Sequence, residues 1–100
     1  MIDCNDIDLI EGGAETAEDY YAALQRAINS GVAWSFQGSY GRTMMEAITG
    51  GLCVLGTVSA RDYWGSYIPS RDEVQAGTYG SLDYVRQHQG DDWADFIATI

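Results

Sequence analysis

The segment that decides the fold is TAEDYYAALQRAINSG, residues 16–31. Its apolar residues recur at the spacing of one helix face, which comprises Tyr20, Leu24, Ala27 and Ile28. Thr16 is a suitable N-cap, and Asp19 follows three residues later, close to a capping box. Gly31 is a natural stop because glycine readily adopts the left-handed conformation at a helix C-terminus. We therefore predict a helix over 17–30 whose apolar face enters the core.

A second helix is predicted over about 40–49, with Ser39 as its cap and the glycines at 50–51 as its end. Its inner face comprises Met44, Ala47 and Ile48. The connector between the two helices contains Trp34 and Phe36, which we expect to be buried.

The end of the chain predicts two short helices separated by Gly90. Ser81 is the expected cap of the first, which runs from 82 to about 88. Asp91 or Asp92 is the expected cap of the second. The apolar side of that last helix comprises Trp93, Phe96, Ile97 and Ile100.

The middle of the chain is richer in turns. The apolar run at 52–55 predicts either a buried strand or an extension of the preceding helix, because periodicity does not separate the two in so short a segment. Residues 63–68 predict two short extended pieces joined by Gly-Ser, as in a hairpin. Ser70 and Glu73 have the spacing of a capping box and predict a helical turn at 71–75.

Residues 1–15 form an acidic N-terminal arm. Ile7 and Leu9 alternate with acids, which is consistent with a short edge strand or with a loosely docked arm. The chain has 100 residues and no repeat or linker, so a single domain over 1–100 is expected. The predicted fold class is mainly α, a compact small helical domain, with a short two-stranded hairpin and hence α+β as the open alternative.

The charge of the chain is strongly one-sided. The sequence has 15 acidic residues against five arginines and no lysine, a formal net charge of −10. Such a chain repels nucleic acid and anionic membranes and attracts basic surfaces. The alternative is that the acids only keep the protein soluble. No signal peptide and no apolar run of ~20 residues is present, so we expect a cytoplasmic protein without membrane or direct nucleic-acid contact.

Candidate catalytic residues are sparse. A nucleophile and base would combine Cys4 or Cys53 with His88, the sole histidine, and nothing in the sequence places them together. No histidine and cysteine have metal-ligand spacing. We therefore expect a non-enzymatic protein without cofactor or metal, whose cysteines are reduced and structural. The Gly-x-x-Gly turn at 38–41, followed by Arg42, offers an anion site as an alternative.

The candidate partner-binding residues are of two kinds. The acidic ones are Glu15, Glu18 and Asp19 at the start of the first helix, joined to Asp3, Asp6 and Asp8 of the arm, and Asp91, Asp92 and Asp95 on the last helix. Carboxylates three or four residues apart on a helix lie about 5–6 Å apart, which is close to the spacing of phosphates along a strand. The second kind comprises Arg61, Trp64 and Tyr67, residue types enriched in binding hot spots. The alternative is that these three side chains belong to the core.

Several motifs carry a resemblance to a known group. They are AWSFQGSYGR at 33–42 followed by two methionines, GLCVLG at 51–56, RDYWG at 61–65 and IPSR at 68–71. Together they resemble a group of small bacteriophage and prophage proteins that has no assigned activity. The resemblance therefore carries over no functional residue, but it implies a phage accessory protein acting in the bacterial cytoplasm.

Two functions follow as hypotheses. The first is an acidic inhibitor of a bacterial nucleic-acid-binding defence complex, of the anti-CRISPR or anti-restriction type, whose carboxylates take the place of phosphates on the partner's basic surface. The second is a small anion- or ligand-binding accessory module in which the acids confer only solubility.

Overall fold

A computed structural model describes residues 4–35 and 40–100. In chain order these residues form α1 (Cys4–Asp8), a π-helical turn (Leu9–Gly13), α2 (Ala17–Ser30), a 3₁₀ turn (Val32–Ser35), α3 (Tyr40–Thr49), β1 (Ala60–Arg61), β2 (Tyr67–Ile68), α4 (Leu82–Gln89) and α5 (Asp91–Ala98). The fold is mainly α with one small hairpin, as predicted. Its radius of gyration is 12.4 Å, close to the ~13 Å of a compact domain of this length.

Helix α2 has the predicted bounds and caps. The Thr16 hydroxyl accepts a hydrogen bond from the Asp19 backbone N–H at 3.1 Å. Gly31 adopts φ 73° and donates its N–H to the Ile28 carbonyl, which ends the helix. Because α1, α3 and α5 all pack against α2, this helix is the centre of the fold.

The core forms between α2, α3 and the segments that follow them. Its largest buried apolar side chains include Leu24, Ile28, Trp34, Met44, Ile48, Leu55, Val85 and Ile97. This confirms the predicted inner faces of α2 and α3, although Leu52 is only half-buried. The predicted burial of Phe36 and the predicted cap Ser39 lie outside the described residues.

The apolar run at 52–55 is neither a strand nor a continuation of α3. The Leu52 and Cys53 N–H groups both donate to the Ala47 carbonyl, which turns the chain away from the helix axis. The next residue, Val54, hydrogen-bonds through both backbone groups to the side chain of Gln25, at 2.9 and 3.0 Å. A side-chain amide therefore takes the place of a neighbouring strand, and the two predicted alternatives are both wrong.

Residues 4–13 of the N-terminal arm are helical, so the edge-strand prediction is wrong. Asp6 is buried and its carboxylate lies 2.7 Å from the Arg26 guanidinium of α2. Ile7 and Ile10 pack against the edge of the core. In a helix, Ile7 and Ile10 lie on one face, so both can pack against the core. This packing outweighs the strand-like alternation of Ile7 and Leu9 with acidic residues.

The hairpin is present, but its first strand starts earlier than predicted. Ala60 pairs with Ile68, and Arg61 pairs with Tyr67, in antiparallel register. Tyr63 and Trp64 lie in the turn between the strands rather than in a strand. Residues 71–75 form a hydrogen-bonded turn without a regular helix.

The two C-terminal helices differ in their caps. Ser81 caps α4 as predicted, because its hydroxyl accepts from the Tyr84 N–H at 3.2 Å. The predicted aspartate cap of α5 is wrong: Gly90 is the N-cap, and Asp91 and Asp92 lie in the first turn, where no side-chain cap bond forms. The negative charges of Asp91 and Asp92 still stabilise α5, because they lie at the positive N-terminal end of the helix dipole.

Within residues 4–35 and 40–100, no helix has the length and apolar character needed to cross a membrane.

Candidate functional site

The hairpin region concentrates exposed aromatic surface. Among the described residues, the exposed large hydrophobic side chains are Val58, Tyr63, Trp64, Tyr67 and Tyr79. All but the last fall within ten consecutive residues. Trp64 is 84% exposed, whereas Trp34 in the core is 3% exposed. A cluster of large exposed apolar side chains is typical of a surface that binds another molecule.

Asp62 fixes the turn that carries Trp64. Its carboxylate Oδ1 accepts the backbone N–H of Trp64 at 2.9 Å and that of Ser66 at 2.8 Å. Its own backbone N–H donates to the Ser66 carbonyl, and its carbonyl accepts from Gly65, both at 3.0 Å. Because the backbone is already ordered, binding through Trp64 costs little further conformational entropy.

The side chains around this turn contact one another. The Arg61 guanidinium donates to the Gly65 carbonyl at 3.0 Å and lies 5.6 Å from the centre of the Tyr67 ring. Tyr63 meets Trp64 edge-to-face, with ring centres 4.9 Å apart. The structure therefore brings Arg61, Trp64 and Tyr67 onto one short hairpin and exposes them, rather than placing them in the core.

An apolar groove adjoins the hairpin. It has a volume of about 420 Å³. Its lining residues are Met45, Leu55, Tyr67, Ile68, Pro69, Val74, Gln75, Thr78 and Tyr79. Tyr67 belongs to both features, since its ring lies under Arg61 and also lines the groove. We refer to residues 61–67 as the aromatic hairpin and to this cavity as the groove.

A charged side chain secures the hairpin to the segment after it. Glu73 accepts hydrogen bonds from the Tyr67 hydroxyl and from the Ser70 backbone N–H, the latter at 2.7 Å. These bonds, the backbone one foremost, lower the pKa of Glu73 below its ordinary value. The carboxylate is therefore charged at neutral pH beside the groove.

Comparison with known proteins does not indicate a function for this chain. No family model, curated protein or solved structure matches this chain. The function therefore has to be inferred from the chemistry and geometry of its own surface.

The first predicted acidic patch is only partly available. Glu15, Glu18 and Asp19 are exposed around the start of α2, and Asp8 is exposed at the end of α1. The prediction that Asp6 contributes to this patch is wrong, because Asp6 is buried against Arg26 and is not available to a partner. Asp3 lies outside the described residues. No basic residue occurs between Asp8 and Asp19 in the sequence, so this end of the molecule is acidic.

The second predicted acidic patch is partly neutralised. Asp91, Asp92 and Asp95 are exposed on α5. Arg86 of α4 lies 3.1 Å from the Asp91 carboxylate and 3.7 Å from that of Asp95. Exposed ion pairs of this kind are weak, but the guanidinium lowers the local negative potential. The first patch is therefore the stronger acidic surface.

Cys53 and His88, the described residues that were candidates for catalysis, are both held by contacts within the fold. Cys53 is buried, and burial raises its pKa to about 12, so the thiol is protonated at neutral pH. The His88 ring packs on Tyr84, and its Nδ1 lies 2.8 Å from the Tyr84 carbonyl oxygen. Among the described residues, no three histidine, cysteine or acidic side chains are grouped so as to hold a metal ion.

The sequence interpretation missed the groove and the residues that shape the hairpin. Asp62 three residues before Gly65 is a spacing typical of turns closed by an aspartate, and it offered a signal. Glu73 was interpreted only as part of a capping box, and its bond to Tyr67 joins residues whose proximity depends on the hairpin. The groove had no sequence signal, because its lining comes from four separate segments. The alternative anion turn at 38–41 lies partly outside the described residues.

Proposed function

We propose that the protein is a non-enzymatic interaction module that binds a basic surface of a partner protein through the aromatic hairpin. The observation that carries this proposal is Trp64, which is 84% exposed on a turn fixed by Asp62. An indole held in water on an ordered turn contributes nothing to the core. It does match the type of residue that dominates binding energy at protein interfaces.

The charge of the molecule supports a basic partner. The chain carries a net charge of −10, and opposite charges on a partner accelerate association and orient it. Lysine or arginine side chains also bind the faces of tryptophan and tyrosine rings. The exposed rings of Tyr63 and Trp64 thus supply short-range contacts for the same cationic groups that the acids attract from a distance.

We propose that the residues of the aromatic hairpin and the acidic residues contribute to binding in different ways. Trp64 and Tyr67 anchor the partner, since their contacts are short-range and their backbone is ordered, and Arg61 supports them through its bond to the Gly65 carbonyl. The acids Glu15, Glu18 and Asp19, with Asp91, Asp92 and Asp95 as a second group, act through the field that attracts and orients it. Exposed charges act only over about 8 Å at physiological ionic strength, so this contribution depends on salt.

The class of partner is proposed from the resemblance and the charge together. The resemblance to bacteriophage and prophage proteins implies a bacterial cytoplasm as the setting. Proteins that bind nucleic acid carry basic surfaces, because lysine and arginine neutralise the phosphates. We therefore propose that the partner is a bacterial nucleic-acid-binding defence effector, of the restriction or CRISPR type, and that binding inhibits it by occupying its phosphate-binding surface.

The test uses two variants against a partner isolated from host lysate by affinity capture and identified by mass spectrometry. Calorimetry with the purified partner then compares the wild type, Trp64→Ala, and a triple variant with Glu15→Gln, Glu18→Gln and Asp19→Asn, each at low and moderate salt. We expect Trp64→Ala to weaken binding at least tenfold at both salt concentrations. The triple variant should weaken binding at low salt and differ less at moderate salt.

A folded Trp64→Ala protein that binds normally would exclude the aromatic hairpin as the anchor. Binding by the wild type that is indifferent to salt would exclude the charge contribution. A captured partner that is acidic would also contradict the proposal. Circular dichroism and the thermal midpoint of each variant separate loss of binding from loss of fold.

A further inference from the structure

We infer that the groove beside the aromatic hairpin receives an apolar side chain from a short basic segment of the same partner. This inference rests on the proposed function and names what the partner presents. It requires that the groove be apolar, large enough for a side chain, joined to the aromatic hairpin, and set in a negative local field.

The groove has the size and lining of a side-chain pocket. Its volume of about 420 Å³ lies within the ~300–1,000 Å³ of typical ligand clefts. The lining runs from buried Leu55 and Ile68 to the half-exposed rings of Tyr67 and Tyr79. An apolar side chain placed there exchanges water for hydrocarbon contacts, which is favourable at roughly 25 cal/mol per Å² of buried area.

The charges next to the groove favour a cationic occupant. Between 61 and 79 the chain carries three acids, Asp62, Asp72 and Glu73, against two bases, Arg61 and Arg71. The Arg71 guanidinium donates to the Leu55 carbonyl at 2.8 Å and to the Asn29 side chain at 3.2 Å, so it serves the protein's own structure. These five charges sum to −1 in a molecule of net charge −10, so the groove lies in a negative field.

The same charges disfavour a second copy of this chain. Two copies would bring together surfaces that belong to molecules of net charge −10 each, and such self-repulsion opposes association. An anionic amphiphile would meet the same opposition. A segment that combines an apolar side chain with arginine or lysine satisfies both the lining and the field.

The spacing of the two features limits the length of the segment. Trp64 and Tyr67 are three residues apart in the aromatic hairpin, and three extended residues span at most about 10–11 Å. The cation that stacks on the hairpin rings and the apolar side chain in the groove must therefore be near neighbours in the partner's sequence. We infer a segment of about five residues.

The first experiment uses blocked pentapeptides as probes in NMR titrations of isotope-labelled protein. The first peptide has arginine at both ends, leucine in the centre and glycine between them. The second replaces leucine by serine, and the third replaces both arginines by glutamate. We expect the first peptide to shift the amides of Leu55, Ile68 and Val74 together with the Trp64 indole, and to bind at least tenfold more tightly than the other two.

Equal binding of the leucine and serine peptides would overturn the inference, because the groove would then contribute nothing. Equal binding of the arginine and glutamate peptides would also overturn it, in favour of a site for uncharged apolar ligands. A small molecule that native mass spectrometry finds retained by the purified protein, and whose removal shifts the amides of Leu55, Ile68 and Val74, would have the same consequence.

The second experiment fills the groove in the full-length protein. Gln75 is exposed and lines the groove, so Gln75→Trp adds bulk there. Gln87→Trp is the matched control, since Gln87 is exposed on α4 and is not part of the lining. We expect Gln75→Trp to weaken the binding of the leucine peptide and of the captured partner at least tenfold. Gln87→Trp should leave both affinities unchanged.

The two variants distinguish failure of the inference from failure of the proposed function. If Trp64→Ala weakens binding of the partner and Gln75→Trp does not, the groove inference is wrong and the proposed function stands. If neither weakens it, the proposed function is wrong as well. The leucine–serine peptide comparison decides the inference in unmodified protein should Gln75→Trp lower the thermal midpoint.

Discussion

Gln25 is a polar side chain placed in the middle of an apolar core. It is completely buried, and both ends of its amide are used. The oxygen accepts the Val54 N–H, and the nitrogen donates to the Val54 carbonyl and to Asn29. One side chain thereby satisfies the two backbone groups of a buried, irregular segment that no strand pairs with.

Replacing this amide tests how much the segment at 52–55 depends on it. We expect Gln25→Leu to lower the free energy of unfolding, because the Val54 N–H and carbonyl stay buried without a partner. Each such group costs about 1–3 kcal/mol. Urea unfolding measures the change. Gln87→Leu on the exposed face of α4 is the control and should stay within about 0.5 kcal/mol of wild type; a similar small effect for Gln25→Leu would contradict this account.

At the scale of single elements, the aromatic hairpin depends on hydrogen bonds from side chains. Its two strands have two residues each, and an isolated short hairpin is only marginally stable in water. Its order depends on two carboxylates, one at each end. Asp62 closes the turn, and Glu73 holds the Tyr67 hydroxyl.

Removing the carboxylate of Asp62 should loosen the turn without unfolding the protein. We expect Asp62→Ala to lower the free energy of unfolding by about 1 kcal/mol, the contribution of a side chain that caps backbone N–H groups. The Trp64 indole should become more mobile, which heteronuclear NOE values measure. Asp72→Ala, at an exposed site nearby, is the control. Unchanged Trp64 mobility in Asp62→Ala would show that the turn is ordered by other contacts.

The bond to Glu73 makes the hairpin sensitive to acid. Hydrogen bonding lowers the pKa of Glu73 in the folded protein below the ordinary value of 4.5. The unfolded chain therefore binds a proton first, and the stabilisation is fully present above the unfolded pKa and is lost as pH falls through the folded pKa. We expect the wild type to exceed Glu73→Gln in thermal midpoint at pH 7.

That difference between the wild type and Glu73→Gln should shrink as the pH falls below about 4.5, as followed by circular dichroism melts. Tyr67→Phe, which removes only the hydroxyl donor, should show a smaller loss with the same pH dependence. A difference that stays constant from pH 7 to pH 3 would show that the Glu73 carboxylate does not stabilise the fold through its charge.

At the scale of the whole molecule, four of the five arginines make internal contacts. Arg26 pairs with Asp6, Arg86 with Asp91 and Asp95, Arg71 with the Leu55 carbonyl, and Arg61 with the Gly65 carbonyl. Most of the positive charge is thereby committed within the chain. Within residues 4–35 and 40–100, the aromatic hairpin carries three of the five exposed large apolar side chains.

The core that carries this surface is small, so its stability depends on a few large side chains. We expect Leu24→Ala and Ile48→Ala each to lower the free energy of unfolding by roughly 2–5 kcal/mol, because both side chains are fully buried and leave a cavity. Denaturant unfolding measures both. Val58→Ala, at an exposed site, is the control. If both core variants melted like the wild type, the assigned helix faces would be wrong.

The sequence by itself determined helices α2 to α5, but not α1, for which it predicts an edge strand or a loosely docked arm. The bounds of α2 and the inner face of α3 follow from apolar spacing, a threonine cap and terminal glycines, all of which act within four or five residues. Local signals of this range are sufficient because helix hydrogen bonds and caps join residues that are close in sequence.

Tertiary structure alone decided which aromatic and polar side chains are exposed. Trp34 and Trp64 are the same residue type, yet one is in the core and the other is in solvent. Asp6 is buried because Arg26 lies opposite it, and Gln25 is buried because Val54 lies opposite it. Burial depends on residues 20 to 30 positions away, and their proximity exists only after the helices have packed. The aromatic hairpin and the groove are therefore properties of the folded chain.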